Sequence, residues 1–168
     1  SRFGAIDLES KKMMWEVLGS KNRLRPAVNS KYVFTDIENS IHALDRKTGK
    51  TIWSESLGEI LETNIDYSQD RPKWEFEYGW SRRFIATDEI VIAQGSKGIA
   101  ARNSDNGKLL WSFKNESEMG DSEPVIFNKL AVFSSVKDCS VFALDLQTGK
   151  EVFRILIPEC NYFYIFDD

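Results

Sequence analysis

Few side chains in this sequence combine a reactive type with a spacing that catalysis requires. The chain of 168 residues contains one histidine, His42, which lies inside the alternating pattern SIHALD. A histidine that acts as a base or a metal ligand needs partner groups, and no second histidine is present. Glu75 and Glu77 place two carboxylates two residues apart, but no sequence feature indicates a pocket around them. We therefore expect His42 on a strand face and no catalytic residue.

Two glycine-containing segments resemble ligand loops only superficially. GSKGIA, from Gly95, lacks the full glycine spacing of a phosphate loop and joins two apolar stretches instead of opening a helix. NSDNG, from Asn103, lacks the acidic register of a calcium loop. Both segments are predicted to be turns, so neither a cofactor nor a metal site is expected.

The two cysteines, Cys139 and Cys160, fit no metal-binding or redox spacing. The first residues, SRFGAIDLESKK, have no signal-peptide layout. These observations favour two unpaired thiols in a reducing compartment, and hence a cytoplasmic protein.

The balance of charge limits the partners that the chain can bind. It has 22 basic and 26 acidic residues, which gives a net charge of −4. An acidic surface opposes binding to nucleic acid or to anionic lipid. No apolar run reaches the ~20 residues that a transmembrane helix needs. We therefore expect a charged partner to be a basic protein.

A phrase of eleven residues recurs four times in the chain. It runs AIDLESKKMMW from Ala5, ALDRKTGKTIW from Ala43, ARNSDNGKLLW from Ala101 and ALDLQTGKEVF from Ala143. Each copy starts with alanine, has Asp or Asn two residues later and a lysine seven residues later, and ends with a large aromatic residue. Glycine precedes the lysine in three copies, whereas the first copy has Lys11 there.

The phrase predicts two strands joined by a tight turn. Asp45 and its equivalents can accept hydrogen bonds from turn amides, and Gly49 can supply the positive φ that the turn demands. Lys11 at the glycine position implies a looser or strained first turn. Two alternating apolar stretches precede each complete phrase, for example RPAVNS from Arg25 and KYVFTD from Lys31. Each complete unit is therefore predicted to form four short antiparallel strands in up-and-down order.

The pattern A-x-D-x-x-T-G-K-x-x-W resembles the repeat of quinoprotein-type, PQQ-like β-propellers. The resemblance covers nearly the whole chain and implies an all-β fold in which each unit is one blade. In that family the aromatic residue that ends the phrase docks between neighbouring blades. The resemblance assigns this structural docking role to Trp15, Trp53, Trp111 and Phe153. Phe153 lacks the indole N–H that would donate a hydrogen bond.

The two chain ends predict how the ring closes. The first residues look like the third and fourth strands of a blade, and NYFYIFDD, from Asn161, looks like a second strand. We expect residues 1–168 to form a single small propeller of four blades, with one blade shared between the N- and C-terminal strands. The predicted blade segments are 19–57, 58–115 and 116–157, and the split blade combines 158–168 with 1–18. The alternative is half of an eight-bladed ring, the size common in the resembled family, completed by a second chain.

The resembled family includes enzymes that hold a quinone with a vicinal cysteine pair, a stacking tryptophan and a calcium site. This chain has no adjacent cysteines, and Trp15, Trp53 and Trp111 belong to the repeated phrase. The resemblance therefore implies a scaffold without a cofactor instead of a dehydrogenase.

One repeat carries an insertion between Trp53 and Arg82 that mixes acidic with aromatic residues. An insertion in one blade emerges on one rim, where binding surfaces lie. The predicted partner-binding residues are Glu59, Glu62, Asp66, Tyr67, Asp70, Trp74, Glu75 and Glu77. The alternative is a lengthened strand, because WEFEYGW alternates aromatic with acidic side chains.

These features predict a non-catalytic, protein-binding propeller that is a monomer or a homodimer. An acidic single-domain protein without catalytic groups fits an inhibitor or immunity protein that neutralises a basic partner such as a bacterial nuclease toxin. The alternatives are a structural adaptor of envelope-assembly or luminal-sensor type and a fragment of a quinoprotein dehydrogenase.

Overall fold

The computed structural model describes most of the chain as strands and turns. The described residues are 2–18, 26–38, 40–57, 83–95, 98–115, 119, 123–135 and 138–157. They contain fourteen strands, and none of the elements described is a helix that could cross a membrane.

Four antiparallel sheets make up the described part of the chain, and we number them as blades 1 to 4. Blade 1 contains β1 (Arg2–Asp7) and β2 (Lys12–Leu18). Blade 2 contains β3 (Ala27–Val28), β4 (Tyr32–Ile37), β5 (Ser40–Asp45) and β6 (Thr51–Ser56). Blade 3 contains β7 (Arg83–Ala86), β8 (Ile90–Gln94), β9 (Gly98–Asn103) and β10 (Leu109–Lys114). Blade 4 contains β11 (Val125–Phe127), β12 (Leu130–Ser135), β13 (Ser140–Asp145) and β14 (Glu151–Leu156). Neighbouring strands pair in sequence order, which confirms the predicted up-and-down arrangement.

The hydrophobic core lies between neighbouring blades. Phe34 and Ile41 of blade 2 share one buried cluster with Phe84 and Val91 of blade 3. A second cluster joins blades 3 and 4, and a third joins blades 1 and 2. Each fully buried side chain of this size contributes roughly 1.5–3 kcal/mol. The middle strands therefore carry nearly continuous apolar runs, because both of their faces are covered.

The repeated phrase has the same strand register in every blade. Its alanine lies opposite its final aromatic residue in each pair, namely Ala5 with Trp15, Ala43 with Trp53, Ala101 with Trp111 and Ala143 with Phe153. A register shift adjoins this pair in all four blades. Such a bulge increases the local twist and redirects the side chain beside it.

Each tryptophan of the phrase contacts the turn of the next blade. The indole N–H groups donate to turn carbonyls at 2.8–2.9 Å, from Trp15 to Arg46, from Trp53 to Ser104 and from Trp111 to Leu146. Phe153, in the last copy, cannot donate such a bond, and 38% of its surface is exposed. Three inter-blade junctions are therefore fixed by the same hydrogen bond.

The turn glycines leave room for these indoles. Gly49, Gly107 and Gly149 have φ of 69°, 74° and 68° and are buried. A Cβ at Gly107 would lie 2.7 Å from the ring of Trp53, closer than real Cβ contacts. Glycine is required here both by the left-handed backbone and by the ring above it.

The first turn departs from this arrangement. Lys11 has φ of 57°, so it adopts the left-handed conformation with a side chain attached, and that side chain is exposed. Leu8, in the same turn, is 86% exposed. The first turn is therefore strained, as predicted, because a residue with a side chain adopts the left-handed conformation.

Aspartate side chains organise the turns of blades 2 and 4. The Asp45 carboxylate accepts hydrogen bonds from the amide of Thr48 at 2.7 Å and from its hydroxyl at 2.8 Å. Asp145 accepts the equivalent bonds from Thr148 at 2.8 and 2.7 Å. The Thr48 and Thr148 hydrogen bonds hold the pKa of each carboxyl below its usual value. In blade 3 the amide oxygen of Asn103 takes the same place.

The prediction of unpaired thiols was wrong, because Cys139 is disulfide-bonded. The chain has one other cysteine, Cys160, which lies outside the described residues. The N–H of Ile157 donates to the carbonyl of Cys139 at 2.7 Å, so the β13–β14 pairing continues one step beyond the strands. In the register of this hairpin Ile157 lies beside Cys139, and Cys160 follows Ile157 by three residues along the chain. Spacing along the sequence does not reveal that proximity.

Some sequence predictions fall on residues outside the described ranges. They include the candidate strand WEFEYGW and the C-terminal segment NYFYIFDD, with the sharing of one blade between the two ends. The assignment of the chain to an all-β propeller of repeated blades depends on the described sheets.

We expect Gly107→Ala to lower the free energy of unfolding by about 1–3 kcal/mol, because it adds strain at positive φ and a clash with Trp53. The matched change is Lys11→Gly, which relieves left-handed strain at an exposed residue. We expect it to leave stability unchanged or raise it by up to about 1 kcal/mol. Urea unfolding measures the free energy of unfolding of both variants. Equal destabilisation would contradict the conclusion that the indole rings require glycine at the turns they cover.

We expect the double variant Asp45→Asn and Asp145→Asn to fold and to resist acid better than the natural chain. The pKa values of these aspartates are lowered from 3.8 in the folded state. Their stabilisation is therefore present above pH 3.8 and is lost as the pH falls through the lowered pKa. Asparagine keeps an acceptor, as Asn103 does, but it does not titrate in this range. Thermal unfolding of the variant and of the natural chain at pH 7 and at about pH 3 tests this. The prediction is contradicted if the variant loses as much stability between the two pH values as the natural chain does.

Candidate functional site

The blades present two different edges. One edge, which we call the turn edge, carries the turns between third and fourth strands on which the indoles lie. The opposite edge, which we call the loop edge, is where second and fourth strands end. Residues 58–82, the predicted insertion, leave and rejoin the sheets there, because Leu57 follows β6 and Arg83 begins β7. The candidate binding surface is therefore on the loop edge.

Buried polar side chains line the loop edge at the ends of strands. Asp36, Arg83, Gln94 and Ser134 are each only 4–5% exposed. Arg83 lies opposite Gln94 in the β7–β8 register. A buried charge is costly unless it is paired, and all four residues have interaction partners. The loop edge thus holds charges in place directly beside the point where residues 58–82 rejoin the sheet.

Arg154 organises the loop edge of blade 4. Its guanidinium donates to both carboxylate oxygens of Glu151 at 2.7 and 3.0 Å, and to Asp138 at 3.1 Å. It also lies 4.3 Å above the ring of Phe142. The hydrogen bonds to Glu151 raise the pKa of Arg154 further. Burial raises the pKa of Asp138, but hydrogen bonds from Ser135 and Ser140 and the charge of Arg154 outweigh it and lower the pKa overall.

An ion pair joins blades 2 and 3 on the turn edge. Lys31 donates to Asp105 at 2.9 Å, and the hydroxyl of Tyr32 donates to the same oxygen at 3.1 Å. The hydrogen bond with Asp105 raises the pKa of Lys31. The amide of Ser30 donates to Asp88 at 2.9 Å, which adds a second link between the same two blades.

His42 lies on β5 opposite Thr35 of β4, on a strand face as predicted. Burial lowers its pKa, and the charge of Asp36 opposes this effect. The imidazole is therefore neutral at pH 7. Among the described residues, no group of three His, Cys, Asp or Glu side chains is placed to hold a metal ion.

A groove of about 1030 Å³ opens between blades 1 and 2. Phe3 and Ala5 line it on one side, and Val28, Lys31 and Tyr32 line it on the other. It lies beside β1, which pairs only with β2 among the described strands. The groove therefore has mixed apolar and charged walls.

All eight residues predicted to bind a partner lie outside the described ranges, within residues 58–82. Sequence reasoning missed the buried polar residues that flank this segment. Their only signal is a charge next to apolar residues of a strand, such as Asp36 in YVFTDI or Arg83 in RRFIA. Gly95 of GSKGIA directly follows β8, and Gly98 begins β9, so this segment joins two strands as predicted.

Repeated four-stranded blades, linked by tryptophans that dock on glycine turns, define a β-propeller of the PQQ-like class. Residues 38–156 match the family described as outer membrane protein assembly factor BamB. The chain therefore belongs to this family. No curated protein sequence matches it.

Solved structures show the same fold. BamB from Moraxella catarrhalis is 16% identical with a TM-score of 0.62, over 86% of this chain and 40% of the other. A europium-containing methanol dehydrogenase is 14% identical with a TM-score of 0.63, over 92% of this chain and 38% of the other. The dihydro-heme d1 dehydrogenase NirN in complex with DHE is 14% identical with a TM-score of 0.63, over 94% and 33%. The chain thus spans 40% or less of the length of each of these proteins.

We expect Arg154→Lys to destabilise the fold by about 1 kcal/mol, because lysine loses the two-point contact with Glu151 and the stacking on Phe142. The expected loss of stability is small because 24% of the Arg154 side chain is exposed, so that solvent screens its ion pairs with Glu151 and Asp138. The control is Arg2→Lys, at an arginine side chain that is 68% exposed. Urea unfolding should show no change for the control, and equal effects would contradict a role for Arg154 in the loop edge.

Proposed function

We propose that this chain is a non-catalytic, protein-binding propeller segment. The match of residues 38–156 to the family of an outer membrane protein assembly factor carries the proposal. A factor of that description works on other proteins, and the rigid row of blades is suited to presenting loops to a partner. The dehydrogenases among the structural neighbours share the fold, which by itself does not determine activity.

The partner-binding surface in this proposal is the loop edge with residues 58–82. Six acidic side chains in this segment, interspersed with aromatic residues, fit an interface with a basic protein. The buried charges at Asp36 and Arg83 anchor the strands beside it. Binding residues carried on a rigid scaffold of strands are a usual arrangement in repeat proteins.

The first specific form of the proposal is a structural adaptor in an oxidising compartment. Family membership favours an assembly role, and the disulfide at Cys139 favours a compartment where disulfides persist. This compartment differs from the cytoplasmic one that the sequence alone favours, because that expectation assumed free thiols.

The second specific form is an inhibitor or immunity protein that neutralises a basic toxin-like partner. The net charge of −4 and the acidic segment 58–82 favour it. A cytoplasmic location belongs to this form. Cell fractionation, with thiol labelling of Cys139 before and after reduction, separates the two. Protein that is oxidised outside the cytoplasm supports the adaptor, and reduced cytoplasmic protein supports the inhibitor.

We expect reversal of charge by Glu75→Lys and Glu77→Lys to weaken partner binding about tenfold or more, and added salt to weaken it as well. The partner is recovered from source cells by affinity capture and identified, and its affinity for the natural chain is then measured. The control is Glu16→Lys, on blade 1. Binding that is indifferent to the two reversals and to salt would contradict the acidic interface.

A separate titration tests the non-catalytic part of the proposal. Quinone and calcium are added to the purified chain, and absorbance and alcohol oxidation are followed. We expect no change, and a spectral shift with activity would instead favour a dehydrogenase fragment.

A further inference from the structure

We propose that Asn106 is a site of deamidation, and that the docked indole of Trp53 controls the rate of the reaction. Asn106 and Gly107 form the only Asn-Gly pair in the sequence, and they lie in the turn between β9 and β10. The inference is independent of the proposed function, because it concerns the junction between blades 2 and 3 and not a surface for a partner.

Deamidation at an Asn-Gly pair is an intramolecular reaction whose only co-reactant is water. The backbone nitrogen of Gly107 attacks the side-chain carbonyl carbon of Asn106, a C–N bond forms, and ammonia leaves with the proton of the attacking nitrogen. Water then opens the cyclic imide at either carbonyl, which gives aspartate or isoaspartate. No electrons are transferred. Glycine favours the attack because it has no Cβ to hinder its nitrogen.

The turn activates the carbonyl group that is attacked. The amide of Lys108 donates to Oδ1 of Asn106 at 2.9 Å, so the side chain closes over the backbone of the residue between them. A donor on this oxygen stabilises the negative charge that develops there during the attack. Asn106 is exposed, so water reaches the group and the ammonia leaves into solvent.

The folded turn restrains the attacking nitrogen. The N–H of Gly107 donates to the carbonyl of Asn103 at 2.9 Å, and Gly107 is buried beneath the ring of Trp53. The indole N–H donates to the carbonyl of Ser104 at 2.8 Å, which fixes the ring over the turn. The Gly107 nitrogen attacks only after it leaves its acceptor and loses its proton. Deamidation therefore requires the turn to open, and the docked indole opposes that movement.

The second asparagine of the turn, Asn103, is held differently. Its Oδ1 accepts from the amides of Asp105 at 3.0 Å and Asn106 at 3.1 Å. The nitrogen that would attack it belongs to Ser104, which is fully buried and donates to the carbonyl of Glu89 at 2.9 Å. The reaction is therefore directed to one of the two asparagines.

The other three turns of the repeated phrase lack this reactive pair. Threonine precedes the glycine in blades 2 and 4, at Thr48 and Thr148, and serine precedes Lys11 in blade 1. A hydroxyl side chain has no carbonyl carbon for the next nitrogen to attack. Among the four phrases, the one in blade 3 alone therefore carries the modification site.

Conversion to isoaspartate would disturb the junction above it, because it adds one carbon to the main chain between positions 106 and 107. Two backbone hydrogen bonds of 2.9 Å close the turn, from Gly107 to Asn103 and from Asn103 to Lys108. A Cβ at Gly107 would already lie 2.7 Å from the ring of Trp53, so a displaced backbone meets the indole. Isoaspartate at this position therefore weakens the contact between blades 2 and 3.

Incubation of the purified chain at mildly alkaline pH tests the proposal. Cleavage after Arg102 and Lys108 releases residues 103–108, and tandem mass spectrometry shows which asparagine has exchanged its amide NH₂ for OH. We expect conversion at Asn106 and not at Asn103, and faster conversion at higher pH. The chain unfolded in guanidinium should react at least about tenfold faster than the folded chain. No conversion of Asn106 in the unfolded chain, or equal rates in the two states, would overturn the proposal.

Two matched variants test the control by the indole. Trp53→Phe keeps a ring but loses the bond to Ser104. We expect it to speed deamidation of the folded chain about fivefold, which is the factor that corresponds to one neutral hydrogen bond. Trp111→Phe loses the equivalent bond of 2.9 Å at the next junction and should leave the rate at Asn106 unchanged. Equal acceleration by both variants, or none by Trp53→Phe, would overturn the role of this indole.

The reaction product provides the third readout. Ion exchange separates the converted protein, which carries one more negative charge, from the natural chain. We expect the isoaspartate form to unfold at a lower temperature than Asn106→Asp, which has the same charge and an ordinary main chain. Asn106→Thr, which copies the turns of blades 2 and 4, should fold and show no conversion at this position. Equal unfolding temperatures of the isoaspartate form and Asn106→Asp would overturn the weakening of the junction.

Discussion

The indole of one blade lies on the glycine turn of the next, and this contact determines how the other elements are placed. It joins a hydrogen bond of 2.8–2.9 Å to a packed ring, and it connects residues that are 31 to 51 positions apart. The glycine must be left-handed and must carry no side chain of its own, and the indole must leave its strand beside a bulge. The inter-blade clusters of Phe, Ile and Leu contain or contact two of these indoles, Trp53 and Trp111.

The first and last copies of the repeated phrase depart from the residues that make this contact. A junction of this kind requires both the turn glycine and the tryptophan. Here the first turn has Lys11 and the last phrase has Phe153. Each change would disrupt the contact that the three described junctions share. Stability in such a row is approximately the sum of its blades and of its nearest-neighbour junctions.

The two edges have different physical characters. The turn edge is tied by short local bonds and by exposed ion pairs such as Lys31 with Asp105. The loop edge buries charge at Asp36 and Arg83 and supports the hairpin of blade 4 through Arg154 and the disulfide of Cys139. Buried and paired charges resist movement more than solvated ones do. Among the described residues, the loop edge is therefore held more firmly than the turn edge.

The sequence by itself determined the repeat, the four-strand order and the turn glycines, because these depend on local patterns. Alternation, the Asp-to-Gly spacing and the final aromatic residue all act within eleven neighbouring positions. The sequence also indicated where the longest insertion lies, but it revealed neither the burial of Arg83 and Asp36 nor the pairing of Cys139. Those features depend on which strands become neighbours and in which register, as in the bond from Ile157 to Cys139. Only the tertiary structure decides such contacts, because they join residues whose separation along the chain carries no periodic signal.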